Sequence, residues 1–367
     1  MRNIKRRIKA FLLGTAVLAQ SALMTSCMGR GESDVHVFYY NYSDTYVTSV
    51  RAALDTEFMS KALSYQNYDG NNNQTTQTEQ VKTAITKGAG VILVNLVNTG
   101  SADAAGAVVN AARDAGIPVI FFNREVPDGV VQSYEGCVFV GTDAAEAGHL
   151  QGEMIGEYLL QHYDSVDLNG DGVISYILFK GEEGNNEAIF RTQYAVEDAN
   201  RLLTEAGKPK LAFYDPSNTN GYLVDQSGAW SATAANQYMT TALASYNDAG
   251  NNMIELVICN NDGMAEGAIT ALNTVGYNTG AEGGRTVPVF GVDATDAARN
   301  LIGAGKMAGT IKQDAQGMAA AVSQTVKAVV DGATPADALA GLKDERFSLD
   351  ADCATKLYVA YAPYTGE

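Results

Sequence analysis

Short apolar runs, each closed by a polar or glycine turn and followed by a stretch of helical periodicity, recur along the chain from Val35 onward. The clearest is IELVICNNDGMAEG at 254–267. It reads as a buried parallel strand over 254–259, a polar turn at Asn260, Asn261 and Asp262, and then a helix. A continuous apolar run bounded by a turn signal is the pattern of a strand covered on both faces. Glu255 sits at the start of that strand and Asn261 just beyond its end. At the rise of a strand the two are roughly 20 Å apart, so one element can serve two sites. The carboxyl end is where open α/β sheets bind ligands.

The same pattern gives strands over 35–40, 63–66, 90–95, 118–122 and 136–140. A turn at 41–45 leads into a helix ending near Lys61, and further helices cover 81–87 and 102–115, with a polar stretch at 67–80. At Thr142 and Asp143 the register starts again. Helices follow over 143–163, 187–206, 232–246, 295–302 and 315–330. The strands of this half lie at 173–180, 210–214, 286–292 and 307–312, with a last strand at 357–362. Alternating strands and helices with short Gly and Pro punctuation predict parallel sheets covered by helices. Two halves of similar order predict an α/β protein of two doubly wound lobes joined by a hinge. Polar residues close several strands: Asp44, Asn123, Asn261, Asp293 and Gln313. Such positions can converge on a crevice between lobes.

Length and charge narrow the picture. A chain of 367 residues suits two domains rather than one. A formal net charge of -17 argues against nucleic acid or an anionic membrane face as partner. The N-terminus stands apart from the fold. Arg2, Lys5, Arg6, Arg7 and Lys9 precede an apolar segment at 10–23, too short for a membrane span. Met24-Thr25-Ser26-Cys27 then resembles a bacterial lipoprotein signal, which leaves Cys27 as a lipidated N-terminus; the other reading is an ordinary cleaved signal peptide. Residues 28–34 would be a tether. Cys137, Cys259 and Cys353 lie in apolar, strand-like surroundings and read as buried thiols, since a disulfide framework would show more cysteines at regular spacing.

The sharpest local motif is DLNGDGVIS at 167–175. Asp167, Asn169 and Asp171 present side-chain oxygens at alternate positions, Gly172 permits a sharp turn, and the Val173 carbonyl and Ser175 follow. That is a calcium loop of the EF-hand type. Its twelfth position, where a bidentate Glu belongs, is Leu178. Glu255 is the candidate for the missing carboxylate. The competing readings are a plain Asx-turn and a solvated charge at a strand end.

These residues bring the chain close to a known family. It resembles the periplasmic galactose/glucose-binding proteins of bacterial ABC transport and chemotaxis. The resemblance runs through DGVIS after DLNG, PVIFFNRE at 118–125, FVGTD at 139–143, KGEEGNNEAIFRT at 180–192, ELVICNNDGMAEGAITAL at 255–272 and PVFGVDA at 288–294. It implies a type I periplasmic binding protein fold. The lobes would comprise 35–142 plus 313–350 and 143–312 plus 351–367, after a signal segment at 1–27. It implies a structural Ca2+ held by Asp167, Asn169, Asp171, Val173, Ser175 and Glu255, with Ser175 standing where the family usually has Gln.

A pyranose has a hydroxyl rim and two apolar faces, so a binder wants aromatic plates and planar polar side chains. The resemblance implies that Tyr46 and Trp230 stack on the two faces, against the alternative of core packing. Asp44, Asn123, Arg191, Asn261 and Asp293 fall on the family's polar rim, although singly each could be a helix cap or turn residue. Asn185, Glu187 and Gln313 replace the family's His, Asp and Asn. The implied function is a binder of D-glucose or D-galactose, or else of a pentose or modified hexose. It would be a monomer serving an ABC permease, with a chemoreceptor as a further compatible partner. A glycosidase using Asp44 and Asp293 is the enzyme alternative. Against it, no carboxylate has an evident environment to raise its pKa, and His36, His149 and His162 are scattered. A sugar-responsive repressor is excluded by the export signal and by the lack of a helix-turn-helix segment.

Overall fold

The computed structural model describes residues 34–342 and 344–366, so the signal segment and Cys27 lie outside it. The first lobe is built from β1 (Val35–Tyr39), α1 (Thr45–Ser60), β2 (Tyr65–Asp69), α2 (Gln74–Thr86), β3 (Val91–Val94), α3 (Ala102–Ala115), β4 (Val119–Asn123), α4 (Asp128–Val131) and β5 (Cys137–Gly141). The chain then crosses over. The second lobe holds α5 (Ala144–Val166), β6 (Ser175–Lys180), α6 (Asn186–Glu205), β7 (Ala212–Phe213), β8 (Leu223–Val224), α7 (Ala232–Leu243), β9 (Leu256–Cys259), α8 (Asp262–Thr274), β10 (Val289–Asp293), α9 (Asp296–Gly303) and β11 (Gly309–Gln313). It returns to the first lobe as α10 (Ala315–Val330), α11 (Pro335–Ala340), β12 (Phe347–Leu349) and β13 (Lys356–Val359), and ends as β14 (Tyr361–Tyr364) in the second.

Each lobe carries a seven-stranded sheet, ordered β12-β13-β5-β4-β3-β1-β2 and β14-β11-β10-β9-β6-β7, with β8 also on β6. Pairing is parallel except at the two late edges, where β12 meets β13 and β14 meets β11 antiparallel. Alternate residues of one strand feed opposite faces, as the period of two requires. Val37 and Tyr39 of β1 enter one buried cluster and Phe38 another. In β9, Val257 and Cys259 face one side and Leu256 and Ile258 the other. This is the doubly wound α/β architecture expected from the alternating pattern. Cys137, Cys259 and Cys353 are buried free thiols.

Some elements differ from the sequence expectation. The apolar run at 357–362 is two strands, not one. It breaks at Ala360, whose N–H bonds to the Arg346 carbonyl, and its halves pair with different sheets. Residues 356–359 therefore belong with the first lobe, because β13 pairs with β5, and only β14 returns to the second. No turn residue marks the break because strand residues on both sides of it, Leu357, Val359 and Tyr361, are buried. The polar stretch 67–80 is also structured. β2 runs on to Asp69, and α2 starts at Gln74 under an Asn73 cap. As an outer strand, β2 is only partly buried and so carries polar residues. The short elements β8, α11 and β12 have no counterpart in the sequence reading.

Candidate ligand site between the lobes

The carboxyl ends of the strands from both sheets meet across the cleft, and the side chains that line it are largely those that start helices. Asp44 caps α1, accepting the Val47 N–H at 2.8 Å, while its other oxygen accepts the Tyr40 hydroxyl at 2.5 Å. Asn185 caps α6 and Asn261 caps α8. The cap reading and the site reading thus hold together: capping fixes each of these side chains at a helix N-terminus beside the cavity.

One cavity is lined by all ten residues expected from sequence: Asp44, Tyr46 and Asn123 from the first lobe, Asn185, Glu187, Arg191, Trp230, Asn261 and Asp293 from the second, and Gln313 at the crossing. Tyr40, Val47 and Arg124 also line it and were not anticipated. Arg124 follows Asn123 directly, within the PVIFFNRE motif, so a buried charge at a strand end was the available signal.

Three buried polar atoms with no hydrogen-bond partner among the described residues belong to this lining: the Tyr46 hydroxyl, Arg191 Nε and Glu187 Oε2. The rest of Arg191 is fixed. Its Nη1 donates to the Asn260 carbonyl at 2.9 Å, and its Nη2 to Gln313 Oε1 at 3.2 Å and the Tyr361 hydroxyl at 2.9 Å. Glu187 Oε1 accepts the Glu125 N–H at 2.8 Å, and Asn185 Nδ2 donates to Thr99 Oγ1 at 3.0 Å. Those last two bonds join the lobes, as does the ion pair of Arg124 with Glu182. At the cleft mouth Gly100 faces Gly184 so closely that a Cβ on Gly100 would lie 3.4 Å from the Gly184 Cα.

Trp230 needs its own glycine. A Cβ at Gly181 would fall 2.1 Å from the indole ring, so the ring lies flat against bare backbone. Trp230 itself has a left-handed φ of 55°.

Electrostatically the site is unusual for its buried carboxylates. Burial pushes Glu187 above the usual carboxylate range, with the Glu125 charge adding to it. Burial also pushes Asp293 well up, reinforced by Asp262 and opposed by Arg191. The expectation that no carboxylate has an environment to raise its pKa is therefore corrected; strand-end acids turned inward are desolvated in a way that spacing does not reveal. None of the three histidines lines the cavity.

At the other end of β9, the loop between α5 and β6 folds around Glu255. That carboxylate is fully buried, not a solvated strand end. Its Oε1 accepts the Leu168 N–H at 2.7 Å and the Asn169 N–H at 3.3 Å; its Oε2 accepts the Ser175 N–H at 2.8 Å and the Ser175 hydroxyl at 3.0 Å. Asp167 accepts the Gly170 and Gly172 N–H groups, and Asp171 the Val173 N–H. Gly170 and Gly172 have left-handed φ values of 75° and 81°. The donors fit a hard cation in type and charge, because no Lys or Arg ion pair involves Asp167, Asp171 or Glu255 among the described residues. They do not converge on one metal-sized point, since no such group of three occurs among the described residues.

Two sheets of this topology meeting at a small cavity lined by polar and aromatic side chains are the architecture of a two-lobed solute-binding protein. A profile of the periplasmic binding protein domain matches residues 35–334. The chain is 31% identical over 325 residues to the D-galactose/methyl-galactoside binding periplasmic protein MglB of Haemophilus influenzae, covering 88% of this chain and 89% of that one. It is 26% identical over 270 residues to the multiple sugar-binding periplasmic receptor ChvE of Rhizobium radiobacter, covering 71% and 67%. An ABC transporter solute binding protein from Bacillus halodurans, solved with bound myo-inositol, superposes with a TM-score of 0.65 at 27% identity, covering 92% and 96%. One from Clostridium phytofermentans, with bound β-D-glucose, shares the fold with a TM-score of 0.69 at 20% identity, covering 90% and 94%. The chain belongs to the periplasmic binding protein family. The proteins it resembles are binding proteins, not enzymes.

Proposed function

We propose that the protein is the extracytoplasmic receptor of a sugar ABC transporter and that it clasps one unmodified monosaccharide, D-glucose or D-galactose, between its lobes. The observation that carries this reading is the set of unpaired polar atoms in the cleft. Glu187 Oε2 wants a donor, Arg191 Nε wants an acceptor, and the Tyr46 hydroxyl takes either. A hydroxyl is both donor and acceptor, so a neutral polyol satisfies all three, whereas a pure anion would leave Glu187 facing a like charge. Leaving such groups buried and unpaired costs about 1–3 kcal/mol each. Trp230 and Tyr46 supply aromatic surface from the two lobes for the apolar faces of a sugar ring. The relative named for D-galactose and methyl-galactoside binding, and the one solved with myo-inositol, support a cyclic polyol as the ligand class.

The test is isothermal titration with D-glucose, D-galactose, D-xylose, L-arabinose and myo-inositol. Micromolar or tighter binding of a hexose is expected, with Trp230 fluorescence changing in step. Heat from a pentose or inositol alone would move the specificity to that class, and no binding by any of the five would end the reading.

The loop between α5 and β6 supports a second element of the proposal, a structural Ca2+. Asp167, Asn169, Asp171, the Val173 carbonyl, Ser175 and Glu255 would hold it, and the ion would offset three carboxylates that no side-chain cation balances. Attachment through a lipid on Cys27, delivery to a permease and contact with a chemoreceptor belong to the same proposal, supported by the N-terminal sequence and by the family.

A further inference from the structure

Asp262 is a carboxylate that the cleft does not use. It is the first residue of α8, fully buried, and no part of the cavity lining. Its side chain reaches sideways to β10 instead. Gly291 makes room for it, since a Cβ there would lie 2.3 Å from Asp262 Oδ1. Asp262 Oδ2 accepts the Thr295 N–H at 2.8 Å, and Oδ1 accepts the Thr310 hydroxyl at 2.6 Å. The same Thr310 oxygen accepts the Ala294 N–H at 3.3 Å. Both N–H groups that follow Asp293 are thus tied to Asp262, one directly and one through a threonine.

The segment so braced is strained. Asp293 has a φ of 124° and Ala294 a φ of 53°, both in the region that L-residues rarely occupy. Such conformations persist only where the surroundings over-determine them. Here they turn a side chain at the end of β10 into the cavity.

We infer that Asp262 is a positioning residue for the ligand: it locks the left-handed Asp293–Ala294 turn and so aims the Asp293 carboxylate at the bound sugar. The inference rests on the proposal that the cleft binds a monosaccharide. Asp262 touches no ligand itself. It acts through Asp293, so the two residues form one unit energetically.

The experiment is a double-mutant cycle read by isothermal titration with the hexose that the wild-type protein binds best, alongside urea melts without sugar. Asp262→Ala should raise the Kd about tenfold or more while the protein still folds. Asp262→Asn keeps an acceptor for the Thr295 N–H and a polar group toward Thr310, and should restore most of the affinity. In an Asp293→Ala background, Asp262→Ala should cost little more. A folded Asp262→Ala protein with wild-type affinity, or losses that simply add, would overturn the inference while leaving the sugar reading intact. If Asp262→Ala does not fold, Thr310→Val carries the test, because it cuts only the relay to Ala294. It should weaken binding, and an unchanged Kd in a folded Thr310→Val protein would count against the inference. A wild-type protein that binds none of the five ligands would remove the sugar reading and this inference together.

Discussion

At the scale of single residues, the cleft shows why side-chain identity was readable while side-chain environment was not. Asn123, Asp293 and Gln313 end strands, Asp44 and Asn261 cap the helices that follow strands, and all five line one cavity, as the position beyond strand ends suggested. Arg124 escaped because its ion-pair partner Glu182 lies 58 positions further on, in the other lobe. Tyr40 escaped because a tyrosine finishing an apolar run reads as core; only its bond to Asp44 reveals it. Burial is a three-dimensional quantity, and so the raised carboxylates were missed.

That burial has a consequence for stability. Desolvation raises the Asp262 pKa from its ordinary value to about 7. The folded protein therefore binds this proton more tightly than the unfolded chain does. The stabilisation is complete below the unfolded value, near 4, and is lost as pH rises through about 7. Between pH 5 and pH 8, urea unfolding without sugar should show Asp262→Asn gaining stability relative to wild type. Parallel curves across that range would show that the carboxylate is not titrating there. Asp293 and Glu187 shift in the same direction, so the Asn variant should keep a smaller slope of the same sign.

At the scale of elements, β9 is the piece read best. Its apolar run, polar turn and following helix occur in the expected order, although the strand is shorter, Leu256–Cys259, and Asp262 already belongs to the helix, because a central strand covered on both faces has few ways to vary. The edges were read worst. β2 is partly exposed, so its polar residues look like a loop, and β12 is only three residues long, too short to show an alternating pattern. The approach of α5 to α6 was also invisible. Gly148, Gly152 and Gly156 form a bare track on α5, where added Cβ atoms would meet Phe190, Tyr194 and Leu202 within 2.5–2.6 Å.

The loop between α5 and β6 is the element on which the metal proposal turns. Glu255 was readable as a candidate partner from its place as a charge at the start of an apolar strand, and the family resemblance gave it the role, although 80 positions separate it from Ser175. If Ca2+ sits in this loop, it binds the folded state alone, and adding excess chelator should lower the melting temperature by several degrees. Restoring Ca2+ should reverse the loss. Superimposable melting curves with and without chelator would show that Glu255 closes the loop through its N–H and hydroxyl donors without an ion.

At the scale of the whole molecule, closure is written into the cleft mouth. The two lobes touch through Asn185 and Thr99, Glu125 and Glu187, Asn72 and the Ser227 carbonyl, and the facing glycines 100 and 184. Ligand affinity then includes the free energy of bringing these groups together. A wedge at the glycine contact, Gly100→Trp, should hold the lobes apart without touching the cavity. Sugar affinity should fall about tenfold or more through faster release, with unfolding of the ligand-free protein little changed. Stopped-flow dissociation at the wild-type rate would show that the mouth contacts do not contribute to retention.

The placement of β13 against β5 has a further consequence, in time rather than in space. β5 is complete early in synthesis, yet the strand that covers its outer side comes more than two hundred residues later. Until then the first sheet has an open parallel edge, the kind of surface that chaperones hold and that aggregation exploits. The first lobe is therefore complete only when the last strands of the chain have emerged.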